Sequence, residues 1–172
     1  TRPYSTIRGP GPDHRIPTRK SLDCHGNELL ATITYPMNPS IDLSTLPITH
    51  SAPILPEYMD VMGHMNVMWY THLFDKSIFG TFDLVGLDFE SMKANQSGGF
   101  ALETHIRYLA EIRTGQTVTI RTRLLGRTAK RFHLISFMTN DKRNNALSAT
   151  FELVGAHINM QSRRMSPMPD SV

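Results

Sequence analysis

A single change of hydrophobic period divides this chain and limits what it can fold into. Val67, Tyr70, Leu73, Phe74, Ile78, Phe82 and Val85 recur at helical spacing, with Asp75, Lys76 and Asp83 mostly on the opposite side. Past residue 99 the period falls to two. Phe100, Leu102, Thr104, Ile106 and Tyr108 alternate with Ala101, Glu103, His105, Arg107 and Leu109. Val118, Ile120, Thr122 and Leu124 alternate with Thr119, Arg121 and Arg123, and two more runs follow, Phe132 to Met138 and Leu147 to Leu153. Thr114-Gly115, Gly126-Arg127, Asn140-Asp141 and Asn144-Asn145 supply turn signals between the runs. Four alternating runs joined by short turns predict an antiparallel meander with one buried face. A lone long helix offers the matching apolar stripe, so the pattern predicts an α+β domain in which a sheet curls around that helix.

Asn66 stands where the helix N-cap belongs, and Gly86 stands where the helix should stop. Nearly twenty residues at about 1.5 Å each make a rod of roughly 30 Å. Ahead of it, residues 48–58 read as a strand-like piece ending near Pro53 and Pro56, followed by a loop over residues 59–65. Residues 1–47 hold seven of the eleven prolines and read as an extended arm, with one short strand at residues 29–35. The domain proper is expected over residues 48–160 and a tail over residues 161–172.

At 172 residues, with 40% hydrophobic and 19% charged side chains, the chain has room for one globular domain. No apolar run reaches the roughly 18 residues of a membrane span, so no membrane partner is expected. The start lacks the apolar stretch of a secretory signal, and Asp13, Asp23 and Glu28 interrupt its basic residues, which points to a cytoplasmic location. Cys24 is the only cysteine, which excludes an intramolecular disulfide and a thiolate cluster. His64 and His72 lie eight apart and would not share a helix face well, so no metal is expected. Between Gly98 and Arg131 seven basic residues face two acids, an excess that would attract a phosphorylated ligand or solvate a strand face. Aromatics are not interleaved there as a nucleic-acid surface requires, so nucleic acid is not expected as a partner.

Asp60-Val61-Met62-Gly63-His64-Met65-Asn66, followed by Tyr70, resembles the D-x-x-G-H-x-N-x-x-x-Y signature of hotdog-fold acyl-CoA thioesterases of the 4-hydroxybenzoyl-CoA thioesterase type. The string from Gly63 to Val67, taken with the strand from Leu102 to Leu109, is most similar to betainyl-CoA thioesterases of carnitine breakdown. The resemblance covers residues 48–160 and leaves the arm outside. It implies hydrolysis of an acyl-CoA thioester with no cofactor beyond the CoA of the substrate. It also implies Asp60 as nucleophile or general base, with backbone amides near Gly63 and His64 polarising the carbonyl. The chemistry suits the spacing: a carboxylate just before a helix can attack or activate water, and the helix N-terminus offers free N–H groups for the oxyanion. Gly63 lets a thioester approach the backbone.

Each residue also has a plainer reading. An aspartate before a helix often only caps or turns the chain. His64 would serve by orienting the loop, and Asn66 as a cap before any substrate contact. Glu103 and His105 share a strand face, where they would meet substrate or a partner subunit, or form a solvated cross-strand pair. Trp69 and Tyr70 would line an acyl pocket or a cage for a quaternary ammonium through cation–π attraction, with core packing the alternative for Tyr70. Arg127, Lys130 and Arg131 suit the nucleotide phosphates of CoA.

Two rival readings share the fold. A hotdog enoyl-CoA hydratase would carry Asp and His five apart, whereas Asp60 and His64 are four apart. A non-catalytic binding or scaffold module would not need Asp60. A curled sheet leaves an unpaired edge, so a homodimer joined edge to edge is expected, with the arm across the partner and the pairing of dimers left open.

Overall fold

The computed structural model describes residues 42–169. Most of the Pro-rich arm, its expected strand at residues 29–35, Cys24 and the last residues of the tail lie outside the described residues. Within them the order is β1 (Ile48–Pro53), α1 (Val67–Leu84), α2 (Phe89–Ala94), β2 (Ser97–Tyr108), β3 (Thr117–Arg127), β4 (Arg131–Asn140), β5 (Ala146–Asn159) and β6 (Arg164–Met165). The fold is α+β, an antiparallel sheet curled against one long helix, as the hydrophobic period predicts.

Both ends of α1 follow from the sequence. The Asn66 side chain accepts the Met68 N–H at 3.0 Å. At the other end Gly86 takes φ +75°, where Leu87 N–H donates to the Phe82 carbonyl and Gly86 N–H to that of Asp83. These two bonds form a Schellman motif, and a residue other than glycine would be strained at its turning point. Tyr70, Leu73, Phe74, Ile78 and Phe82 are buried, whereas Val67 and Val85 at the two ends of the stripe are exposed. The helix presses so close on β1 that a side chain at Gly80 would overlap the Thr49 carbonyl. Against α1 the sheet presents Val118, Ile120, Leu134, Met138, Phe151 and Leu153, all part of one buried core.

The sheet departs from a simple meander. Its main path is β1-β3-β4-β5-β2, with the two-residue β6 paired to β5, so on that path only β3, β4 and β5 follow one another as neighbours. β2 pairs with β5 instead, and the chain crosses to β3, next to the opposite edge strand β1, through residues 109–116, where Ile112 is fully buried and its carbonyl accepts Met65 N–H. Alternation reports which face a residue takes but not which strand lies beside it.

Nor does β2 carry a buried face. None of its twelve residues is buried, and Phe100, Leu102 and Tyr108 are exposed. As an edge strand it lacks the cover that its alternation suggests.

Two local expectations also change, and one element is new. Gly126 lies within β3, paired with His133 beside a bulge, and the turn comes at residues 128–130, where the Thr128 hydroxyl accepts Arg131 N–H at 3.1 Å. The first strand stops at Pro53, and Pro56–Tyr58 forms a short 3-10 turn, for which proline's fixed φ is suited. α2 was not anticipated, because six residues are too few to show a period; its local signal is Asp88, which accepts Ser91 N–H at 2.9 Å as an N-cap.

Candidate active site

The loop between β1 and α1 is closed at its base. Met59 and Met65 form an isolated antiparallel bridge, Asp60 N–H donates to the His64 carbonyl at 3.0 Å, and Asn66 N–H donates to the Tyr58 carbonyl at 2.9 Å. Gly63 N–H returns to the Asp60 carbonyl at 3.1 Å, and Gly63 itself has φ +80° with nothing within 4 Å of where a Cβ would stand. That combination needs glycine for its backbone and leaves open space beside it. Val61 and Met62 form the exposed tip.

The loop fixes the Asp60 carboxylate through both oxygens. Oδ1 accepts Met62 N–H at 2.8 Å, and Oδ2 lies 3.4 Å from His64 Nδ1. The Asp60 side chain is 22% exposed, enough for a substrate to reach it. Donors for an oxyanion are fewer than the sequence suggests. Asn66 takes Met68 N–H with its side chain and Trp69 N–H with its carbonyl, and Gly63 N–H is committed within the loop. Among the described residues the N–H groups of His64 and of Val67, the first helical residue, have no protein acceptor.

The other predicted residues are spread out. Trp69 stacks on Tyr58 with ring centroids 4.0 Å apart and meets His72 edge-on at 5.4 Å. Sequence reasoning had no reason to select Tyr58, because the stack forms only when the 3-10 turn meets the helix. His50, on the neighbouring β1, is held below the ordinary imidazole value first by burial and then by Lys76 and His72. Tyr70 is buried and packs edge-on against Tyr108, and burial pushes its phenol up to about 12. Glu103 and His105 lie on β2, where His105 stands opposite Glu152, which binds His133 Nε2 at 2.7 Å. Arg127, Lys130 and Arg131 sit at the β3–β4 turn. β3 runs eleven residues from the Asp60 end to that turn, a separation of roughly 35 Å within one chain. Thus the structure brings Asp60, Gly63, His64 and Asn66 together, and the basic turn stands apart from them.

A cavity of about 710 Å³ opens between α1 and β2. Ile78, Phe79, Phe89, Phe100, Phe132 and Leu153 line it, with Asp75 and Lys93 as charged members. Its first helical contact is Thr71, and no residue of the Asp60 loop lines it. Thr71, Asp75 and Phe79 form a second stripe at a spacing of four, which is the signal that marks this helix face in the sequence.

Comparison with known proteins gives a consistent picture. The thioesterase-like superfamily profile matches residues 54–172. A betainyl-CoA thioesterase of Pseudomonas aeruginosa is 28% identical over 130 residues, 76% of this chain and 81% of that protein. An L-carnitine dehydrogenase/betainyl-CoA thioesterase of Agrobacterium fabrum is 31% identical over 72% of this chain, which spans only 25% of that longer protein. A Staphylococcus aureus protein solved in complex with CoA superposes with a TM-score of 0.68 at 25% identity, over 78% of this chain and 82% of that one.

Proposed function

The chain belongs to the thioesterase-like superfamily as an acyl-CoA thioester hydrolase, and we propose that Asp60 is the carboxylate on which its reaction turns. One observation carries this reading: a partly exposed carboxylate, oriented by Met62 N–H and faced by His64, at the start of the only long helix among the described residues. Asp60 either attacks the thioester carbonyl, giving an anhydride that water then opens, or takes a proton from the attacking water. In both cases the C–S bond breaks, CoA leaves as the thiol and the acyl group leaves as the free acid. The free N–H groups of His64 and Val67, with the positive end of the α1 dipole, suit the developing oxyanion. His64 positions Asp60, and Asn66 holds the helix start.

The reading includes a homodimer joined through β2. The outer edge of β2 has no strand partner among the described residues, and Phe100, Leu102 and Tyr108 of this strand are exposed. Two-fold antiparallel pairing sets the Ser97 end of one copy beside the Tyr108 end of the other. The basic turn of one copy then comes to the Asp60 end of its partner, where Arg127, Lys130 and Arg131 receive the nucleotide phosphates of CoA. No helix among the described residues is long and apolar enough to cross a membrane.

Release of free thiol from a panel of acyl-CoAs, run beside hydration of an enoyl-CoA, tests the reaction. Thiol release that depends on enzyme concentration is expected. Hydration without thiol release would favour a hydratase, and neither activity would favour a binding module.

A further inference from the structure

We infer that the cavity between α1 and the Ser97 end of β2, which the proposed antiparallel pairing sets beside the Asp60 end of the partner copy, holds the acyl group of the substrate and selects bulky, uncharged, apolar acyl groups over a small quaternary-ammonium one. The inference rests on the acyl-CoA reading above and goes beyond it, since the curated relatives take their name from betainyl-CoA.

Size is the first ground. At roughly 30 Å³ per non-hydrogen atom, the share a water takes in the liquid, a trimethylammonioacetyl group fills roughly 200 Å³. The cavity is about 710 Å³, within the range of sites that enclose much larger ligands. A small acyl group would leave most of its wall without contacts.

The second ground is the state of the aromatic rings. A quaternary ammonium is recognised by several free ring faces converging within about 6 Å of the charge. Here Phe151 is stacked on Phe74 with centroids 5.1 Å apart, and Phe82 and Phe132 meet edge-on at 5.5 Å, which leaves Phe79 and Phe89 as the lining rings without a ring or cation contact among the described residues, too few to close a cage. The Arg163 guanidinium already stands 5.4 Å over Phe100, and a second cation on that ring would be repelled. The best ring for such a cage, Trp69, is stacked on Tyr58 and lines no part of the cavity.

Charge is the third. Among the described residues Asp75 is the only carboxylate of the lining and Lys93 offsets its charge, so they offer no net negative charge against the desolvation of a cation. An apolar chain meets no such cost, and each methylene it buries favours binding about fourfold.

Gly98 provides the test position. A Cβ there would come 3.3 Å from Met160 Sδ, the flexible end of a side chain that also lines the cavity, so a larger residue fits by displacing it. Gly99 is unsuitable, because its Cβ would stand 2.8 Å from the Phe82 ring.

The experiment measures kcat/KM of the full chain for acetyl-CoA, betainyl-CoA, its uncharged isostere 3,3-dimethylbutanoyl-CoA, and decanoyl-CoA. Calorimetry on Asp60→Asn compares decanoyl-CoA with CoA. Decanoyl-CoA should exceed betainyl-CoA at least tenfold, the isostere should equal or surpass betainyl-CoA, and Gly98→Leu should lower the decanoyl-to-acetyl ratio at least tenfold. A tenfold preference for betainyl-CoA over its isostere would overturn the inference and leave the hydrolase reading intact. So would a ratio unmoved by Gly98→Leu, which would mean that another segment, from this chain or a second copy, fills the cavity. If no thioester is cleaved, the hydrolase reading falls. The acyl site then stands only if decanoyl-CoA binds at least tenfold tighter than CoA and Gly98→Leu removes that gain.

Discussion

Gly63 ties the sequence to the chemistry at the smallest scale. Its φ of +80° lets the loop turn back so that His64 faces the Asp60 carboxylate. Alanine there costs about 1–2 kcal/mol of backbone strain, while the open space beside it means that a Cβ clashes with none of the described residues. Gly63→Ala should therefore lower the thermal midpoint by only a few degrees but reduce kcat/KM tenfold or more, as the Asp60–His64 geometry shifts. A midpoint and a kcat/KM both at wild-type values would remove the turn from the mechanism. His50 adds a dependence on pH. Its folded-state value is lowered by burial first, so the folded protein favours the neutral ring. That contribution to stability is whole above the ordinary value of 6.5 and is lost as pH falls below it toward the lowered one. The thermal midpoint should fall less below pH 6.5 in His50→Gln than in wild type; equal acid limbs in the two proteins would contradict this. At this scale the sequence displayed Asp60, Gly63, His64 and Asn66 as a motif. It could not display that the Asn66 cap and the loop's own bonds consume most of the nearby N–H groups, because that depends on backbone geometry.

Elements were legible where local periodicity decides them and illegible where their neighbours do. α1 and its two ends could be read directly, because cap, stripe and stop are all local signals. The alternation of β2 suggested a buried face, yet none of its residues is buried, since alternation looks alike whether its cover comes from the same chain or from another. The turn after Gly126 shifted to residues 128–130 because a bulge keeps Gly126 in the ladder. That turn carries its own prediction. Replacing Arg127, Lys130 and Arg131 together by Ala should raise KM for acyl-CoA more than it lowers kcat. It should also flatten the salt dependence of substrate capture, since exposed charges act over about 10 Å at ordinary ionic strength. An equal loss with a short thioester that lacks the nucleotide would show that these side chains do not bind CoA phosphates.

For the whole molecule the deciding feature is the outer edge of β2, which has no strand partner among the described residues. A long edge with exposed apolar side chains is a surface that a monomer would normally protect with charge. Leu102, 53% exposed beside the β2 bulge and outside the cavity lining, is the place to add one. Leu102→Lys should shift sedimentation from dimer toward monomer and lower activity in proportion, as the basic turn of the partner is lost from each site. A fully active monomer would refute the shared site. The fold class was legible at this scale, but the strand order was not, because a crossover through residues 109–116 leaves no mark on hydrophobic period. The identity of the reacting carboxylate joins all three scales, and kcat of Asp60→Asn measures it most directly. This nearly isosteric change should leave the thermal midpoint, the dimer and the binding of acyl-CoA close to wild type while kcat falls about a hundredfold or more. A kcat within a few fold of wild type would contradict it and move the catalytic role to another carboxylate, with Glu103 the next to test.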